Sequence, residues 1–124
     1  MLYTRVEVRR MADGLLQTPP TGIAWCVEFV IAESRGVGHG RHRALMCRRL
    51  KHVPVEPTDA ARIVDRIGER LQSGLYSEQF RDQLRLALHL DRTSLLAVAR
   101  ECADHPRAHV QRQARWVLAH HSTG

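Results

Sequence analysis

From Arg41 onward the apolar residues recur at helical spacing, and this narrows the folds open to the chain more than any other feature. Met46, Leu50 and Val53 share one helical face, with Arg41, Arg48 and Lys51 roughly opposite. Pro54 and Pro57 end that helix. A second is predicted from Thr58 as N-cap, with Asp59 well placed against the helix dipole. It buries Ala60, Ile63, Val64, Ile67 and Leu71, and Gly74 closes it in the left-handed conformation. Ser77 caps a third helix carrying Phe80, Leu84, Ala87 and Leu88. Asp91 or Thr93 starts a fourth, with Leu95, Leu96, Ala99 and Cys102. Pro106 falls in the first turn of a fifth, where its missing N–H costs nothing. Val110, Ala114, Val117 and Leu118 follow it. Short connections between these segments favour antiparallel neighbours.

The N-terminal part has a different period. Leu2, Thr4, Val6 and Val8 alternate with Tyr3, Arg5, Glu7 and Arg9, which predicts a half-exposed strand. Asp13-Gly14 and Pro19-Pro20 mark a turn and a loop. Ile23, Trp25, Val27, Phe29 and Ile31 then occupy alternate positions and predict a second, more buried strand over 23–32, although Ile23, Val27, Val30 and Ile31 also fit helical spacing. The expected fold is therefore α+β but mainly helical. It is a single domain over 1–124, with a β-hairpin over 1–33, a basic loop and helix over 34–55, and a helical bundle over 58–121. Two strands alone make a marginal sheet, and an exposed edge would offer itself to a second copy of the chain.

Charge is distributed unevenly. The chain has 19 Lys and Arg against 13 Asp and Glu, and the whole surplus of six lies between Ser34 and Val55. That window holds Arg35, Arg41, Arg43, Arg48, Arg49 and Lys51 with no carboxylate, beside Gly36, Gly38 and Gly40. Phosphate backbones reward such a cluster through counterion release. Arginine also suits planar, bidentate recognition of phosphate, and the chain has a single lysine. The expected function is a non-catalytic binding module that docks a polyanion, DNA or RNA foremost and an acidic protein surface otherwise. Arg35, Gly36, Gly38, Gly40, Arg41, Arg43, Arg48, Arg49 and Lys51 form the expected site. With few aromatic residues to stack on bases, phosphate-dominated binding is expected over single-strand recognition.

Two resemblances bear on alternatives. Leu95-Leu96, Asp104, Pro106, Val110, Arg112, Ala114 and Leu118 resemble a HEAT-type helical hairpin over about 92–121. Residue 111 is Gln where that repeat commonly has Arg. The resemblance implies a scaffold for protein contacts, hence a protein–protein adaptor. Arg35-Gly36-Val37-Gly38-His39-Gly40, followed by Ala44 and Leu45, is similar to the acyl-CoA pyrophosphate loop of the GNAT acetyltransferases. It implies a small acyltransferase, or a binder of CoA or nucleotide phosphate. Only 34 residues precede the run here, whereas that fold places several strands and helices before it.

Neither catalysis nor metal binding is favoured. His39 or His42 beside the arginines has the chemistry to move a proton in phosphodiester cleavage, but the window holds no carboxylate to orient either ring. Cys102, His105 and His109 have C-x2-H-x3-H spacing, yet Cys102 belongs to the apolar stripe of Leu95 and Ala99. No metal and no cofactor is expected. Three widely spaced cysteines without a C-x-x-C pair favour a reducing compartment. The N-terminus has no apolar signal core, and the apolar run Ile23 to Ala32 is too short to span a bilayer. These features predict a soluble, cytoplasmic protein.

Overall fold

The computed structural model describes residues 19–32, 39–76 and 79–120. They form six helices: α1 (Pro19–Ile31), α2 (His39–Leu50), α3 (Pro57–Ser73), α4 (Phe80–Leu90), α5 (Arg92–Cys102) and α6 (Ala108–His120). There is no strand among the described residues, so the architecture is an all-helical bundle rather than α+β. Residues 2–11, the first half of the expected hairpin, lie outside the described residues.

The second half of that hairpin is corrected outright, because 23–32 is helix α1 and its last turn. Cys26, Val27, Phe29 and Val30 are buried, while Ala24 and Glu28 on the same helix are exposed. Ile23, Trp25 and Ile31 flank the buried stripe and pack against the core from its edges. A stretch this apolar satisfies both periods, and a short run does not discriminate between them. Pro19 opens the helix instead of breaking the chain, since its fixed φ suits a first turn.

A lone helix of 13 residues is marginal in water. Packing against α2 and α3 holds α1 in place, and three arginines on successive turns of α3 reach it. Arg62 pairs with Glu28 at 2.8 Å, and Arg66 donates to the Ile31 carbonyl at 3.2 Å. Arg70 goes deepest. It donates to the carbonyls of Val30 (2.7 Å), Ile31 (3.1 Å) and Ala32 (3.2 Å), and to Gln83 Oε1 on α4 at 2.9 Å. From α2, Arg43 adds a bond to Ala32 O at 3.2 Å and lies over the Phe29 ring. The last carbonyls of a helix have no partner within it and carry partial negative charge, so cations stabilise that end. Burial pushes Arg70 down to about 10, helped by the nearby charges of Arg43 and Arg66. At neutral pH it stays charged.

Helix α3 is the centre of the bundle, touching α1, α4, α5 and α6, while α2 packs chiefly on α4 and α5 chiefly on α6. One core draws residues from all six helices: Phe29, Met46, Leu50, Ile63, Ile67, Leu71, Leu84, Leu95 and Val117 are fully enclosed. The ends of the helices follow local chemistry. Glu56, not Thr58, is the N-cap of α3, because Pro57 takes the first helical position. Gly74 closes α3 at φ 73°, its N–H bonded to Arg70 O. Ser77, expected to cap α4, lies outside the described residues, and Gln79 stands before that helix at φ 61°. Asp91 caps α5, accepting from Ser94 N at 3.2 Å and Ser94 Oγ at 2.6 Å. Pro106 sits in the bend before α6, which starts two residues later.

Cys26, Cys47 and Cys102 are free and buried. Burial pushes the thiols of Cys26 and Cys47 up to about 12, so both are neutral core groups.

Urea unfolding checks each of the following outcomes. Arg70→Ala removes the donor from three carbonyls and Gln83, costing about 2–4 kcal/mol. Arg70→Lys recovers part of this, since an ammonium does not present a planar fork. Gly74→Ala costs about 1–2 kcal/mol for the left-handed backbone, and more because the new Cβ would lie 2.6 Å from His109 Nε2. Stability falls as pH rises above the ordinary thiol range, because the unfolded thiols ionise before the folded ones. The slope approaches about 1.4 kcal/mol per pH unit for each of Cys26 and Cys47. Above about pH 10 the lowered pKa of Arg70 opposes the loss. Measured below that point, Cys26→Ala and Cys47→Ala each flatten the slope.

Candidate functional site

The basic window does not form one surface. Arg35, Gly36 and Gly38 lie outside the described residues, and with them the loop on which the CoA resemblance rests. Gly40 is buried at the start of α2. Arg43 turns inward, 6% exposed, its guanidinium engaged with Ala32 O and Phe29. Desolvation lowers its pKa. Arg49 and Lys51 are half-buried. Arg41 and Arg48 are exposed, two helical turns apart on the solvent side of α2. Of the cations expected to bind together, these two on α2 share an outer face.

Contacts from Arg48 lead to residues that sequence reasoning missed. Its guanidinium bonds Asp82 Oδ2 on α4 at 2.7 Å, and Arg85 bonds Oδ1 of the same carboxylate at 3.2 Å. The Asp82 side chain is 14% exposed and both arginines are 49% exposed, so the carboxylate lies beneath and the guanidiniums outside. One turn earlier on α4, Arg81 donates through Nε to Gln113 Oε1 on α6 at 3.3 Å. Arg81 and Arg85 both lie over the Trp116 ring, at 5.3 and 5.2 Å from its centroid. His120 stacks on that ring at 4.6 Å and 18°.

A connected row results: Arg48, Asp82, Arg85, Trp116, Arg81 and Gln113, crossing α2, α4 and α6. Arg48 and Arg85 share one carboxylate, Arg81 is held by Gln113 and the Trp116 ring, and Arg41 continues the positive face along α2. Each exposed pair contributes at most about 1 kcal/mol to stability, as does each cation–π contact. The contacts do more to fix the position of the donors than to hold the bundle together. Arg81 and Arg85 stand one turn apart, flanking the Phe80, Leu84 and Leu88 stripe, which was readable from spacing. Their meeting with Trp116 and Arg48 required the packing of three helices.

The histidines of the C-x2-H-x3-H spacing make separate bonds. His105 Nδ1 accepts from Arg107 N at 3.0 Å, and His109 Nε2 bonds Gly74 O at 3.2 Å. No group of three His, Cys, Asp or Glu suited to a metal ion occurs among the described residues. No helix among them is long and apolar enough to cross a membrane. Helices α5 and α6, which carry the HEAT resemblance, pack on each other as a pair. The fold and site define a helical bundle with arginines of α2 and α4 in a row against Trp116 and Gln113 of α6. No family model matches this chain, and neither the curated proteins nor the solved structures provide a match.

Proposed function

We propose that the protein is a non-catalytic module that docks a polyanion, nucleic acid foremost, through Arg41, Arg48, Arg81 and Arg85. One observation carries the reading: Arg48 and Arg85, from neighbouring helices, are held outward on a single carboxylate, with Arg81 beside Arg85 over the same Trp116 ring. Such an arrangement offers planar forks to phosphate oxygens without first having to order flexible side chains. Release of condensed counterions supplies the affinity. Arg43 and Arg70 belong to the inside of the bundle, where their charge is spent on carbonyls.

Fluorescence anisotropy with a labelled DNA tests the reading. Four phosphate contacts give a slope of log affinity against log salt of about −3.5, or a loss of about two orders of magnitude between about 50 and 200 mM. Arg41→Gln, Arg48→Gln and Arg85→Gln combined flatten the slope towards about −1. Arg43→Gln serves as the contrast, lowering Tm while leaving the slope unchanged. Binding that is absent or indifferent to salt rejects the proposal.

A further inference from the structure

We infer that this surface, taken as a polyanion site, grips the phosphate backbone of a nucleic-acid duplex and not the bases of a single strand. The inference rests on the function proposed above and extends it to the form of the partner. The aromatic rings provide the first argument. Single strands are held by bases stacking on open aromatic faces. Every aromatic ring in the described residues already has a ring or guanidinium against it. Trp25 stacks on Phe29 at 5.5 Å, and Tyr76 on Phe80 at 4.0 Å, its hydroxyl donating to His109 O. Trp116, the ring on the arginine row itself, carries Arg81, Arg85 and His120. A base reaching Trp116 would have to displace one of these groups.

The donors provide the second. Arg48 and Arg85 are tied to Asp82, Arg81 to Gln113 and Trp116, and Arg85 also to Trp116. A fixed array suits a stiff partner with phosphates at fixed spacing. A duplex is such a partner, with a persistence length of about 50 nm. A single strand would lose conformational freedom to match the same array. The row also runs across helix axes, because α2 packs on α4 and the side chains of α4 reach α6. Donors on separate helices are placed to meet separate phosphates.

The test uses the full chain, a short DNA duplex and each of its component strands, titrated by anisotropy under identical salt. Tryptophan emission is followed in parallel in a Trp25→Phe variant, so that Trp116 is the reporter. The inference expects the duplex to bind at least about tenfold more tightly than either strand. It also expects emission from Trp116 to be retained on saturation. Equal or tighter binding of the strands, with Trp116 emission quenched by base stacking, overturns the inference while leaving the polyanion reading intact. Failure of both duplex and strands to bind overturns the two together.

Discussion

A buried guanidinium at the end of the most apolar helix holds this bundle together. Helix α1 brings the carbonyls of Val30, Ile31 and Ala32 to its packed end, the first buried and the other two partly so. Arg70 satisfies all three while also bonding Gln83, so one side chain joins α1, α3 and α4. Taking a cation out of water is costly, and the fall of Arg70 to about 10 records that cost. Several short bonds to oriented carbonyl dipoles offset it. Arg43 and Arg66 approach the same helix end, and each raises the cost for Arg70 by like-charge repulsion. That three cations converge there shows how strongly the end of α1 requires donors.

The arginines of this chain thus divide between two uses. One set, Arg43, Arg66 and Arg70, turns to the α1 terminus and substitutes for backbone partners. Another, Arg48, Arg81 and Arg85, is held at the surface over Asp82 and Trp116. Both uses depend on a planar fork that donates in several directions, which a lysine does not supply. The near absence of lysine therefore has a structural basis, whatever the exposed set binds. Net charge alone does not separate the two sets.

Much of the helical architecture was legible in the chain. The 3.6-residue spacing located the cores of α2 to α6, and Gly74 and Asp91 marked ends that the structure keeps. The reading failed at 23–32, where nearly every position is apolar and a period of two is embedded in a helical stripe. No local signal resolves that ambiguity. What decides it is that α2 and α3 offer both an apolar groove and the arginines for the helix end. The candidate site was legible only in part. Arg41 and Arg48 were expected on the outer face of α2, and both are exposed. Arg43 was counted with them, yet two residues of helix turn it inward.

The sequence by itself determined which segments from α2 onward are helical, which faces they bury, and that an excess of arginine exists. Those properties depend on the order of residues along one helix, where spacing and capping act over a few positions. Tertiary structure alone decided that 23–31 is helical, that Arg70 lies inside, and that Arg48, Asp82, Arg85 and Trp116 stand together. These are relations between residues dozens of positions apart. They follow from how helices pack, because long side chains reach whichever carbonyl, carboxylate or ring the neighbouring helix presents.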